Sequence, residues 1–177
     1  MKVSMCFRIV LAGFCLLFIT GLAAAEMGLE VGPDNLKVTG VPLGRKTAIS
    51  ELSSRRLKLE IKNKSSAAYN YEIKIVPSED TTAPLPAGYS DIPDTGWITA
   101  EKKEVKIEAG RAKEVELYID IPKKEEYAGK KYQAVIEVKS KKNDRRDLFV
   151  LAAQVRIRFE TGAKAQKPEE CSSCRDK

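Results

Sequence analysis

The chain has 177 residues, with 31 Lys or Arg against 25 Asp or Glu, four cysteines, no histidine and a net charge of +6. Lack of histidine removes the commonest general base and the commonest metal ligand together. Lysine and glutamate are mixed along the same segments rather than gathered in blocks, which describes a solvated surface and not a nucleic-acid-binding stripe.

The chain opens MKVSMCFRIVLAGFCLLFITGLAAAEMG. Lys2 and Arg8 form a basic start, Ile9 to Leu22 an apolar run, and Ala23 to Ala25 a small-residue cleavage site. This is the layout of a secretory signal peptide over residues 1–25, cut before Glu26. The seventeen residues from Ile9 to Ala25 are short of the ~20 that span a bilayer, which places cleavage ahead of a retained anchor. Phe14 is too bulky to precede a lipidated Cys15. Cleavage takes Cys6 and Cys15 away, lowers the net charge from +6 to +4, and leaves 152 residues. That length supports one domain with its own core. No later segment is apolar enough to span a membrane, and with no cysteine before Cys171 that core holds without a disulfide across it.

Beyond residue 25 period-two alternation dominates. A first strand is expected within Leu29 to Val41. LKLEIKN (57–63) sets Leu57, Leu59 and Ile61 against Lys58, Glu60 and Lys62, and YNYEIKI (69–75) sets Tyr69, Tyr71, Ile73 and Ile75 against Asn70, Glu72 and Lys74. DTTAPLPAGYSDIPDTG (80–96) carries Pro84, Pro86 and Pro93 and is too long for a hairpin connection. With Leu85, Tyr89, Ile92 and the following Trp97 it is expected to cap one open end of the fold, or to serve as a recognition loop. Then come VKI (105–107), EVELYID (114–120), KYQAVIEVK (131–139) with Tyr132, Ala134, Ile136 and Val138 on one side, and LFVLAAQVRIRF (148–159). Turn signals fall at Asn63 to Ser66, Ala109-Gly110, Pro122 to Gly129 and Lys142 to Asp144. Seven or eight half-buried strands over residues 26–160 predict an all-β, antiparallel sandwich, with a closed barrel as the alternative. Residues 161–177 are charged, lack alternation and read as a disordered tail.

The stretch 96–138 resembles bacterial exported immunoglobulin-like domains. Their pattern is a Trp, a short strand, an Ala-Gly or Pro-Gly turn, a strand ending in Ile-Pro or Val-Pro, then Gly-x-Tyr opening the next strand. Its counterparts here are Trp97, Val105 to Ile107, Ala109-Gly110, Val115 to Pro122, and Gly129 with Tyr132 slightly displaced. Similar patterns occur in surface-protein modules and in the first domain of pilus-assembly chaperones. The resemblance covers about a third of the chain after residue 25 and specifies fold better than family. It implies an immunoglobulin-like sandwich exported to the periplasm or cell surface. Pilus chaperones work through the strand equivalent to 148–159, and they have a second sandwich domain, which would begin where this sequence ends.

No G-x-S-x-G elbow, phosphate-cradling glycine loop or alternating-acid calcium loop is present. Most carboxylates alternate with apolar residues and so lie on the wet face of a sheet, where a solvated Glu makes a poor general acid. No catalytic, cofactor-binding or metal-ligating residue is therefore expected, and no cofactor.

Cys171-Ser172-Ser173-Cys174 is followed by three residues, too few for the helix that would activate a redox thiol, and a metal would need two more ligands. A local Cys171–Cys174 disulfide, worth ~2 kcal/mol of chain entropy, leads. A bond to a partner, a thiol-dependent role and a shared metal stay open.

The last strand sets Phe149, Leu151, Ala153, Val155, Ile157 and Phe159 on its core face, and Leu148, Val150 and Ala152 on the other before Gln154, Arg156 and Arg158. The apolar start of that second face is either covered by the N-terminal strand and its loop or offered to a partner as an edge for strand addition. Lys139, Lys141, Lys142, Arg145 and Arg146, set against Asp144 and Asp147, form a soluble turn or a weak, salt-dependent contact for anionic envelope polymer or lipid headgroups. Asn63-Lys64-Ser65 is a glycosylation sequon if the source is eukaryotic.

The sequence as a whole reads as an exported, non-enzymatic structural or protein-interaction module of the bacterial envelope, with an envelope or secreted protein as partner and no nucleic acid. An assembly chaperone presenting strand 148–159, and a thiol-dependent factor using Cys171 and Cys174, are the alternatives.

Overall fold

The computed structural model describes residues 28–53, 55–141 and 150–162. The expected signal peptide, residues 142–149 and the Cys171/Cys174 tail lie outside the described residues. In chain order the strands are β1 (Leu29–Gly32), β2 (Asn35–Val41), β3 (Thr47–Ala48), β4 (Leu59–Asn63), β5 (Tyr69–Val76), β6 (Ser90–Asp91), β7 (Ile98–Ala100), β8 (Glu104–Ile107), β9 (Ala112–Val115), β10 (Leu117–Ile119), β11 (Lys131–Ser140) and β12 (Ala152–Thr161). One helical turn, α1 (Ile49–Leu52), follows β3. No helix among the described residues is long and apolar enough to cross a membrane.

The larger sheet has the order β2-β12-β11-β5-β8, with β6 added beside β11. The facing layer consists of β1-β4-β9 and β3-β10-β7, joined because β9 and β10 are successive parts of one segment with Glu116 between them. Alternation decides what lies between the layers. Leu59, Ile61, Tyr71, Ile107, Ile119, Ala134, Ile136, Val138, Val155, Ile157 and Phe159 are buried, while their charged neighbours in sequence face water. Each Ile or Leu enclosed in this way contributes ~1.5–3 kcal/mol. Trp97 sits in the same core, edge-on to Tyr127 (ring centroids 4.8 Å apart) and to Tyr132 (5.6 Å).

Two segments change layers along their length. The N-terminal strand begins in the facing layer, with Val31 opposite Ile61, turns at the cis Gly32–Pro33 peptide, and continues as β2 in the larger sheet, with Leu36 opposite Ile157. On the other side β7 pairs with β10, Thr99 opposite Tyr118, and a few residues later β8 pairs with β5, Val105 opposite Tyr71. The sandwich pairs mainly antiparallel, as expected, with β2 parallel to β12 and β6 parallel to β11. Alternation reports which face a side chain takes and not the direction of its neighbour.

The 80–96 loop does not cap an end of the sandwich. It folds over the solvent side of the larger sheet, where Gln133 and Val135 are fully buried although they alternate with the core residues of β11. Gln133 donates through Nε2 to Ser78 Oγ (3.0 Å) and the Pro84 carbonyl (3.2 Å), and its Oε1 accepts from Arg158 Nε (2.8 Å). The Asp91 carboxylate accepts the Ser78 and Glu79 N–H groups at 2.8 and 2.9 Å. Of the loop's large apolar residues Ile92 is buried, whereas Leu85 stays exposed. β12 also extends to Thr161, past the Phe159 expected from apolar alternation. The buried Thr161 hydroxyl takes the place of an apolar side chain by donating to the Tyr127 carbonyl and accepting the Lys130 N–H.

Tyr71 is the exception to this polar pairing: its ring is fully buried and its hydroxyl has no partner among the described residues. Burial, assisted by nearby Tyr69, pushes its pKa up to about 12. The folded state thus favours the neutral phenol. The resulting stability is fully present below the unfolded value of ~10 and is lost as pH rises towards 12. In urea titrations at pH 7, Tyr71→Phe is expected to leave stability unchanged or raise it by up to ~1 kcal/mol, since an unpaired buried hydroxyl is removed. The same variant should show a shallower decline between pH 10 and 12. A loss above ~1 kcal/mol at pH 7 would mean that the hydroxyl has a partner.

Candidate functional site

The layer change of the N-terminal strand leaves the first part of β12 with no strand paired on one side among the described residues. From Arg156 onward β2 lies beside it: the Arg156 N–H donates to the Asp34 carbonyl (3.2 Å), and Ile157, Arg158 and Phe159 stand opposite Leu36, Lys37 and Val38. Before Arg156, no strand among the described residues occupies that side, because β1 has left for the facing layer. The opposite side is full. Ala152 to Val155 pair with Lys139 to Ile136 of β11, and the Ser140 N–H donates to the Leu151 carbonyl (2.7 Å).

Along such a strand the N–H and C=O of alternate residues point to opposite neighbours. Leu151, Ala153 and Val155 serve β11, so Val150, Ala152 and Gln154 direct theirs to the open side. The same three side chains are exposed, and Val150, at 48%, is one of two large exposed hydrophobics among the described residues. A cleft of about 240 Å³ between Thr82–Pro84 of the loop and Gln154 and Arg156 adjoins this edge.

Of the expected partner edge, Val150 and Ala152 therefore lie on one open stretch, and Leu148 is outside the described residues. Cover from the N-terminal strand begins only at Arg156. On the core face Leu151 and Ala153 are half-buried, and the closed core begins at Val155. Of the expected anionic contact, Lys139 is paired with Glu137 (2.7 Å) and Lys141 with Glu104. The hydrogen bond that Lys141 donates to the Glu104 carboxylate raises the Lys141 pKa and holds its charge there. Lys142, Arg145 and Arg146 lie outside the described residues, as do Cys171 and Cys174.

No protein-family model and no curated protein sequence matches the chain. Solved structures do share its fold. A PapD-like (ASH) domain of human CEP192 superposes with a TM-score of 0.51 at 8% identity, over 83% of this chain and 97% of that domain. The Escherichia coli chaperone DraB superposes with a TM-score of 0.50 at 10% identity, over 77% of this chain and 57% of its own. The chain thus spans a whole PapD-like domain in the first case and little more than half of the protein in the second. At such identities the likeness is one of fold: an all-β, immunoglobulin-like sandwich.

Sequence reasoning missed the residues that fix the loops around the core. Gln133 was legible in principle, because the outward positions of β11 read Lys131, Gln133, Val135, Glu137, Lys139, and the two uncharged ones are those the loop covers. Asn63 was noticed only as a sequon. Its side chain is fully buried. Nδ2 donates to the carbonyls of Ala67 (2.8 Å), Ile107 (3.1 Å) and Glu108 (3.3 Å), and Oδ1 accepts the Ser65 N–H (2.9 Å). An amide so enclosed accepts no sugar in the folded chain. Asn63→Ala strands these partners and is expected to cost about 2–4 kcal/mol, read as a lower urea midpoint at unchanged slope. A cost below ~1 kcal/mol would show that water replaces the amide.

Proposed function

We propose that the chain is an exported, non-enzymatic protein-binding module of the bacterial envelope, which takes up an extended segment of a partner protein as an added strand along Val150–Gln154. Residues 1–25 serve as the signal peptide, residues 26–160 form the working domain in the periplasm or at the cell surface, and the tail with Cys171 and Cys174 is dispensable for folding. The open half-edge of β12 is the observation that carries this reading. Ala152 and Gln154 offer backbone donors and acceptors at strand spacing, beside the exposed side chain of Val150. Each new backbone hydrogen bond contributes a net ~0.5–1.5 kcal/mol, so the edge orients the segment while contacts at Val150, Ala152 and the neighbouring cleft select it.

The fold shared with the chaperone DraB supports action by protein contact. An assembly chaperone is one form of this function, in which the partner is a subunit short of a strand.

A photo-cross-linking residue placed at position 150 in the native host is expected to capture a discrete protein that the same residue at Lys62, on the outer face of the facing layer, does not. Ala152→Pro removes an edge-facing donor and leaves the β11 pairing intact. It should reduce capture about tenfold while the folded domain still melts cooperatively. Equal capture at positions 150 and 62 would refute strand addition.

Deleting residues 163–177 is expected to leave both the melting temperature and the capture unchanged. Loss of capture on deletion, repeated by Cys171→Ser/Cys174→Ser, would transfer the function to the thiol pair.

A further inference from the structure

A second open edge lies on the opposite long side of the sandwich, where β7 and β8 part. β8 covers β5 from Tyr69 to Glu72, and the Ile73 N–H donates to the Lys103 carbonyl (2.8 Å). There the covering segment belongs to the facing layer, while β5 continues to Val76 with its other side still paired to β11. Ile75, two residues beyond Ile73, directs its N–H and C=O to the vacated side. The facing wall is β7. Its Trp97 carbonyl and Glu101 N–H are used by β10, accepting from Asp120 and donating to Glu116 at 2.8 Å each. By the same alternation Ile98 and Ala100 point away from β10. The Ile98 N–H is satisfied by the Thr95 carbonyl, which leaves the Ile98 carbonyl and both backbone groups of Ala100 without a partner among the described residues.

Between these walls is a cleft of about 420 Å³, lined by Ile73, Ile75, Ile98, Thr99, Ala100 and Lys103 among others. We propose that it binds a short extended peptide segment of a partner protein, which enters between β5 and β7 and carries an acidic side chain at the Lys103 end. The walls determine the occupant. β7 presents backbone groups at strand spacing and β5 those of Ile75, and an extended polypeptide supplies complementary donors and acceptors on both of its edges. The exposed length of β7, three residues or ~10 Å, sets the length of segment held. The half-buried Ile75 selects an apolar side chain opposite it, while Ile73 and Ile98 belong to the core. Glu72 at the rim is neutralised by Lys74 (3.1 Å), whereas Lys103 is exposed and forms no ion pair among the described residues. The net charge presented to the segment is therefore positive. In the strand order of the larger sheet β11 separates β5 from β12, so this site is distinct from the β12 edge and stands without it.

The test is selection of a displayed library of random linear octapeptides against the full chain purified from its host, followed by residue-resolved amide exchange with the enriched peptides. In the free protein the Ile75 and Ala100 amides should exchange at least ~100-fold faster than those of Lys74 and Thr99, which are paired to β11 and β10. Enriched peptides are expected to alternate Val, Ile or Thr with polar residues including an acid, and to slow exchange at Ile75 and Ala100. Ile75→Pro removes the cleft-facing donor together with the Ile75 side chain, spares the β11 pairing, and should weaken them at least about tenfold. Lys103→Glu, an exposed change that spares the fold, should weaken the acidic ones by a similar factor, and Ala152→Pro should have no effect. Lack of enrichment, enriched peptides that protect Ala152 and Gln154 instead, or affinity indifferent to Lys103→Glu would each overturn the proposal.

Discussion

A strand in a two-layer sandwich hides its side chains on one face only, and its backbone groups always need two neighbours. This second requirement governs the molecule. The layers are tied together on each long side by a segment that pairs first in one layer and then in the other: β1 into β2 on one side, β7 into β8 on the other. A segment pairs in one layer at a time, so each crossing withdraws a neighbour from part of an adjacent strand. The open stretches of β12 and β5 are thus two results of one construction, and both lie at the boundary between covered and uncovered backbone, beside Arg156 and Ile73.

Buried polar side chains fix where the crossings and loops fall. Asn63 ties the end of β4 to the turns at Ala67 and Glu108, and Gln133 ties the 80–96 loop to the larger sheet. The Ser140 hydroxyl accepts the Leu151 N–H at 2.8 Å, close to where the open part of β12 begins. Each of these groups is satisfied within the protein, so a shift of the loop would strand a buried donor or acceptor at ~1–3 kcal/mol. The edges are therefore held by contacts that do not involve them, and a binding segment would meet positions already set.

This division explains what the sequence could and could not disclose. Which residues face the core is written in their spacing: Tyr132, Ala134, Ile136 and Val138 are buried as their alternation requires, and so are Tyr71 and Ile73. Which strand lies beside which depends on distant segments, and alternation is silent about it. Val150 and Ala152 stood out because an apolar residue on an otherwise polar face breaks the pattern. Ile75 did not, because its side chain fits the pattern and only its backbone lacks a partner among the described residues, and Ile98 and Ala100 lie in a strand of three residues, too short to show alternation. The loop was misplaced for a related reason. Its apolar residues suggest an end cap, but the uncharged pair it covers, Gln133 and Val135, lies on the outer face of the larger sheet.

Exposed strand edges invite uncontrolled pairing, and proteins limit them by brevity and charge. Both measures are present. The described open stretch runs from Val150, just before β12, to Gln154 and ends at Arg156, and the open part of β5 runs from Ile75 to Val76 beside Lys74 and Lys103. Two or three residues supply few backbone hydrogen bonds, together only a few kcal/mol, which is too little for stable self-association without side-chain complementarity. A segment of matching side chains, bordered by carboxylates to meet Arg156 or Lys103, gains the remainder. The shortness of each edge thus serves two ends: it keeps the free protein from pairing with itself, and it makes side chains decide which segment is accepted.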